Sequence, residues 1–240
     1  MTQQKISAIT TEQMREVDRL MIDDYGIELI QMMENAGRNL AALSRVRFLG
    51  GEPAGKHVLV LAGSGGNGGG GLVAARWLHN WGANLHVITT KFMDEIKGVP
   101  AHQLNILQKL GVQVYWPDEV ESHPPADLIL DTIIGYSLQG APRGASADLI
   151  KLANSSGTSI LSLDVPSGID STTGKIYEPA IQATATMTLA LPKTGLLVDH
   201  AQPWVGELYL ADISVPPELY ERLGLEVRPI FGDEEIIRLV

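Results

Sequence analysis

Cysteine is absent from the sequence. Disulfide staples, thiolate nucleophiles and Cys-based zinc sites are therefore excluded. Basic charge is scarce: 18 Lys and Arg face 28 Asp and Glu, for a net charge of −10. Nucleic acid is held by basic surface, so it is excluded as a general partner. A single nucleotide is not, because backbone N–H groups and one or two cations suffice to hold its phosphates. No apolar run approaches the ~18 residues of a membrane span, so no membrane contact is expected. No basic segment followed by an apolar run opens the chain in the manner of a signal peptide. A cytoplasmic protein is expected. No repeat, low-complexity tract or linker divides residues 1–240, so one domain is expected, and the length suffices for one sizeable core.

What is present alternates. Thr10 and Thr11 before Glu12 and Gln13 mark a helix start, and Met14, Val17, Leu20 and Met21 recur at helical spacing. A second helix is expected from Glu28 towards Val46. Beyond the Gly50–Gly55 loop, apolar strands are expected at 57–62, 84–88, 112–116, 128–131 and 159–164, with two more near 186–191 and 207–211. Helices are expected at 72–81, 101–110 and 146–154. Apolar strands alternating with helices predict an α/β protein: a three-layer, Rossmann-like fold with a mostly parallel sheet and helices on both faces. Such sheets place their sites at the carboxyl ends of strands.

Three strand ends carry unusual sequences. The first, Gly63-Ser64-Gly65-Gly66-Asn67-Gly68-Gly69-Gly70-Gly71, reads as a loop whose N–H groups can approach a phosphate ahead of a helix amino terminus. Gly63, Gly65 and Gly68 satisfy the dinucleotide fingerprint, but so glycine-rich a run satisfies many patterns. The acid expected about 20 residues on to hold a ribose is missing: the next strand ends Thr89-Thr90-Lys91, with no acid before Asp94. The Lys-Ser/Thr pair of a P-loop is missing too, which argues against an ATPase. The second end runs from Asp131 through Gly135 to Arg143-Gly144. Its acid serves either a ligand-wrapping loop or a helix cap. The third, Leu163-Asp164-Val165-Pro166-Ser167-Gly168, is strong turn chemistry, with Asp164 either at the cleft or bonded to local N–H groups. In a parallel sheet Asn67, Asp131 and Ser167 come to one edge. They offer oxygen ligands suited to potassium, sodium or magnesium, and their single charge favours a monovalent ion.

These segments resemble a known family, the NAD(P)H-hydrate epimerases built on the YjeF amino-terminal domain. Gly66-Asn67-Gly68-Gly69-Gly70-Gly71 is similar to the family's Asn-Asn-Gly-Gly-Asp-Gly segment. The Asp131 loop resembles its Asp-x-x-x-Gly loop, and Asp164-Val165-Pro166-Ser167-Gly168 its Asp-hydrophobic-Pro-Ser-Gly motif. Met14-Arg15-Glu16-Val17-Asp18, Met33-Glu34-Asn35-Ala36-Gly37 and Leu191-Pro192-Lys193-Thr194-Gly195-Leu196 match further segments, so the resemblance covers nearly the whole chain.

The resemblance implies interconversion of the R and S forms of hydrated NADH and NADPH, a nicotinamide nucleotide repair reaction. It implies a potassium ion on Asn67, Asp131 and Ser167. It implies substrate contacts from Gly66, Asn67, Gly68, Gly69 and Gly70, from Gly135, Tyr136, Ser137, Leu138, Gln139, Gly140 and Ala141, and from Asp164. Asp164 is expected to be the acid–base group. Lys193 either assists it electrostatically or is an ordinary surface lysine. A separate dehydratase in the same pathway is expected, and a homodimer is admitted. Two positions depart from the family: its first loop asparagine is Gly66 here and its loop aspartate is Gly70. Those departures leave open a non-catalytic nucleotide-binding or interaction protein that retains the fold. An NAD-dependent dehydrogenase is the third reading, and the missing ribose acid counts against it.

Overall fold

A computed structural model describes residues 6–116, 119, 125–225, 227 and 229–239. Its strands are β1 (His57–Ala62), β2 (Asn84–Thr89), β3 (Gln113–Tyr115), β4 (Leu128–Thr132), β5 (Ile160–Leu163), β6 (Ala185–Leu189), β7 (Glu207–Ala211) and β8 (Ile236–Arg238). They form one sheet in the order β3-β2-β1-β4-β5-β6-β7-β8. Every pairing is parallel except β7 with β8. The α-helices are α1 (Thr11–Arg19), α2 (Leu29–Leu43), α3 (Gly66–Asn80), α4 (Gly98–Lys109), α5 (Ala145–Ser155), α6 (Gln202–Val205) and α7 (Pro217–Arg222).

The alternation of β1 shows why both faces are covered. Val58, Val60 and Ala62 pack in one core with Leu40 of α2, Leu72 and Leu78 of α3, and Leu104 of α4. Leu59 and Leu61 point the other way, into a core with Leu149, Ile150 and Ala153 of α5. Successive side chains of a strand face opposite ways, so a strand buried on both faces is apolar throughout, and His57 alone in β1 is exposed. At the amino end, Thr10 accepts from the Gln13 N–H while the Gln13 side chain accepts from the Thr10 N–H. This capping box starts α1 where the sequence places it. α1 and α2 each run on into a single π-helical turn, Leu20–Asp24 and Ser44–Phe48. Among the described residues no helix is long and apolar enough to cross a membrane.

The glycine-rich element differs from expectation. The glycine run is not a loop leading to a helix at Leu72; α3 begins at Gly66 and takes in all of Gly66–Gly71. Close packing explains this. A β-carbon on Gly68 would lie 1.8 Å from Gly63 O, one on Gly69 2.4 Å from the Met33 sulfur, and one on Gly71 2.0 Å from Thr132 Oγ1. On the facing helix, a β-carbon on Gly37 would meet Val73 and Gly70 O at 2.4–2.6 Å. The first turns of α3 are thus pressed against β4 and α2 with no room for side chains. Tertiary contact overrides the poor helix propensity of glycine.

Candidate active site

The sheet order reverses between β1 and β4: the chain leaves β1 towards β2 and β3, then returns to β4 on its other side. A crevice opens at the carboxyl ends of strands at such a point. Here it is a cavity of about 270 Å³. Met14, Leu29, Met32, Met33 and Ala36 of α1 and α2 form an apolar wall, with Ile213. Its polar groups are Asp18, Asn67, Tyr136, Ser137 and Asp164. Apolar walls with a few convergent polar groups suit a small organic ligand.

The amino terminus of α3 opens at this cavity. Its N-cap is Gly65, which offers no side-chain cap. Nothing lies within 4 Å of a β-carbon built on Gly65 or Gly66, and both are exposed. The uncapped N–H groups and the helix dipole make this end attractive to an anion. Of the glycines expected to touch substrate, Gly66, Gly70 and Gly135 line the cavity. Gly68 and Gly69 do not; they serve the packing described above. Leu138, Gln139, Gly140 and Ala141 also lie outside its lining, whereas their neighbours Tyr136 and Ser137 are part of it.

Asp164 caps β5 in the left-handed region, at φ 66°. Such a conformation in a non-glycine residue costs on the order of 1–3 kcal/mol and is held only by its surroundings. Its N–H donates to Met187 O at 2.7 Å, tying it to β6. The result aims its carboxylate into the site. Oδ2 accepts the Tyr136 N–H at 2.9 Å, and Oδ1 lies 2.5 Å from Lys193 Nζ. Lys193 is fully buried, which removes the surface-lysine alternative. Its ammonium also donates to Leu189 O at 2.8 Å and Thr188 Oγ1 at 3.3 Å. A buried charge pair is tolerable when its remaining donors are satisfied in this way. Lys193 stands behind Asp164 rather than on the cavity wall. A bridge between Ile9 and Lys193 pins that segment, with Ile9 N–H donating to Pro192 O at 2.8 Å.

Asp131 is fully buried at the end of β4. Its carboxylate accepts from Ser162 Oγ at 2.8 Å, the Ser167 N–H at 2.9 Å, Ser167 Oγ at 2.6 Å and the Ile133 N–H at 3.3 Å. Burial pushes its carboxyl above the ordinary range, and these hydrogen bonds pull it partly back. All four donors are neutral. Asn67 and Asp164 converge on Gly135: a β-carbon there would lie 2.9 Å from Asp164 Oδ2 and 3.0 Å from Asn67 Oδ1. Asn67 Nδ2 is buried without a hydrogen-bond partner. The Ser167 hydroxyl has a second acceptor, Ile134 O, at 3.1 Å, so rotation of its proton frees a lone pair of Asp131. The residues offer hard oxygens around one buried carboxyl that no cationic side chain among the described residues bonds, and such a set fits a monovalent cation. Among the described residues, no three His, Cys, Asp or Glu side chains converge on one point, which speaks against a divalent site of clustered acids.

Nothing in the residue pattern around Asp18 marks it for a role. In the structure Tyr136 Oη lies 2.5 Å from Asp18 Oδ2 on the cavity wall. Burial raises the Asp18 carboxyl above its usual range; the Tyr136 hydroxyl and the Lys193 ammonium oppose this, and Asp164 adds to it. Burial, then the Asp18 charge, also pushes the Tyr136 phenol far up. The partners are 118 residues apart in the chain, and neither residue type at its position announces the other.

Comparison with known proteins adds a second line of observation. The profile of the family described as YjeF-related protein N-terminus matches residues 29–195. The chain belongs to that family. Within it, the chain is 47% identical over 223 residues to an NAD(P)H-hydrate epimerase of Dehalogenimonas lykanthroporepellens, covering 93% of this chain and 88% of the relative. It is 37% identical to a bifunctional NAD(P)H-hydrate repair enzyme of Moorella thermoacetica, covering 88% of this chain but 41% of that longer protein. The crystal structure of yeast ynu0 superposes with a TM-score of 0.84 at 29% identity, over 98% of this chain and 100% of that one. The family match includes α2, Gly66, Asn67, Gly70, Tyr136 and Asp164, which line much of the cavity, and also Asp131 and Lys193, which lie outside its lining.

Proposed function

We propose that this protein is an NAD(P)H-hydrate epimerase, an isomerase that interconverts the R and S forms of hydrated NADH and NADPH. One observation carries the reading: the carboxylate of Asp164, paired with a buried lysine, faces a cavity that also receives an uncapped helix amino terminus. The relatives named above lend the substrate its identity.

The substrate carbon bears a hydroxyl beside the ring nitrogen. When the hydroxyl leaves as water, the nitrogen lone pair stabilises the cation that forms. Water then returns to either face, and Asp164 carries the proton at that carbon. The apolar wall from α1 and α2 excludes bulk solvent from the ring, and the α3 amino terminus holds the phosphates. Lys193, 2.5 Å from Asp164 Oδ1, holds that carboxyl in place. Asn67, Asp131 and Ser167 would hold a potassium ion, which would supply positive charge beside the buried Asp131 carboxylate. The repaired pathway continues in a dehydratase, in keeping with the bifunctional relative.

A binding-only protein is disfavoured because the Asp164–Lys193 pair is intact and Gly66, the departure nearest the phosphates, still leaves its N–H free. Asp164→Asn tests the reading. It keeps the shape of the side chain but cannot take up a proton at neutral pH. Epimerisation is expected to fall by roughly 10²–10⁴-fold with nucleotide binding retained. Equal turnover by mutant and parent would remove Asp164 from the chemistry.

A further inference from the structure

We propose that Asp18 is a second proton-transfer group of this site, serving the face of the nicotinamide ring opposite to Asp164. The proposal rests on the epimerase reading and deepens it. Loss and return of a hydroxyl with inversion requires a proton to be given on one face and taken on the other, unless the ring turns over within the site. A single carboxylate fixed at one wall reaches one face.

The two carboxyls stand on different elements, Asp18 on α1 and Asp164 at the end of β5, and both line the same cavity. Tyr136 spans between them. Its N–H donates to Asp164 Oδ2 at 2.9 Å, and its hydroxyl donates to Asp18 Oδ2 at 2.5 Å. The carboxyls are thus set apart by the length of one tyrosine. Inverting glycosidases, which also act on two faces of a ring, hold their carboxyls roughly 6.5–9.5 Å apart. The two carboxyls meet different partners. Asp164 is ion-paired to the Lys193 ammonium. Asp18 is buried against Tyr136, and the charges that reach the two are Lys193, Asp164 and Arg15; burial dominates and favours the protonated carboxyl.

The step balances. The Asp18 carboxyl gives its proton to the ring-carbon hydroxyl as the C–O bond breaks, and the bonding electrons leave with water. The ring-nitrogen lone pair forms the C=N bond of the cation. A water molecule adds to the opposite face and forms the new C–O bond, and its proton passes to the Asp164 carboxylate. One proton has moved from Asp18 to Asp164, and a turnover in the reverse sense moves it back.

The test follows epimerisation of R-hydrated NADH across a pH series by the parent, Asp18→Asn, Asp18→Glu and Tyr136→Phe. A parent without turnover ends the epimerase reading itself; every other outcome bears on Asp18. The parent's kcat should fall on the alkaline side as Asp18 ionises. Asp18→Asn should lower kcat by roughly 10²–10⁴-fold, lose that alkaline limb and keep its affinity for NADH. Asp18→Glu should restore part of the rate together with a limb. Tyr136→Phe removes a hydrogen bond that favours the Asp18 carboxylate, so its alkaline limb should move to higher pH. If both Asp18 variants prove unfolded by their thermal midpoints, the Tyr136→Phe profile decides. An unmoved limb in Tyr136→Phe, or parental rate and profile in Asp18→Asn, overturns the proposal.

Discussion

Gly70 is where this chain departs most from the sequence its family resemblance leads one to expect, and the structure fixes what restoring the carboxylate would do. Gly70 is the fifth residue of α3 and lies on the cavity wall. It is not among the glycines with positive φ, so a side chain meets no backbone strain. A β-carbon there would lie 2.8 Å from Leu163 Cδ2 and 4.0 Å from Ala36 Cβ. Only the first contact is too close, and it is the end of a flexible side chain. Moving Leu163 off its preferred rotamer costs about 0.5–1.5 kcal/mol. Replacing glycine by aspartate inside a helix returns roughly 0.3 kcal/mol. The helix dipole adds little beyond the first turn. Gly70→Asp is therefore expected to cost about 1 kcal/mol, or roughly 2–4 °C in thermal midpoint for a chain of this size. If the carboxylate reaches a ribose hydroxyl, hydrated-nucleotide binding tightens by at most about 1.5–3 kcal/mol. The assay pairs thermal unfolding with affinities for hydrated and plain NADH. Gly70→Ala isolates the Leu163 contact, and Gly66→Asn, which enters open space, controls for the departure nearest the phosphates. Weaker binding of both nucleotides in Gly70→Asp but not in Gly70→Ala would refute the reasoning, because the added charge would then be repelling a phosphate at this wall.

Three further outcomes are expected. Potassium should raise the parent's thermal midpoint beyond an ionic-strength control, by an amount that grows with ion concentration, and Asp131→Asn should abolish the response; an equal response in both would remove Asp131 from the ion site. Lys193→Met should cost about 3–5 kcal/mol in denaturant unfolding, since it leaves Asp164 buried and unpaired, and adding Asp164→Asn should recover part of it; no recovery would mean that packing, not charge, is at stake. At the start of β7, the Arg47 guanidinium holds Glu207 down to about 2, with bonds of 2.8 and 2.9 Å. A depressed carboxyl stabilises above its unfolded value and loses that contribution as pH falls towards 2. Arg47→Gln should thus cost about 1 kcal/mol at neutral pH, allowing for solvent screening, and nothing near pH 2; a cost independent of pH would count against the pair.

Much of this was legible in the sequence, and the exceptions share a cause. The strands were readable because both faces of a parallel sheet demand apolar residues, and Thr10 with Gln13 announced the start of α1. The glycine run reads as a loop because glycine alone carries no periodicity. What makes it helical is the approach of β4 and α2, visible only as the absence of room beside Gly68, Gly69 and Gly71. Lys193 looked no different from a surface lysine until Asp164 closed on it. The Asp18–Tyr136 contact joins α1 to the loop after β4, and no spacing rule links residues that meet only because the sheet order reverses. β8, three residues long, is too short to announce itself by alternation.

Epimerase activity is measured most directly by the fate of a single epimer. Purified protein is mixed with the R form of hydrated NADPH and, separately, with the S form, and the two are resolved chromatographically over time beside a protein-free control. An epimerase brings both reactions to the same mixture, faster than the control, and Asp164→Asn brings neither there on the same timescale. If each epimer persists at the protein-free rate in the presence of potassium, the protein does not catalyse this reaction and the account fails.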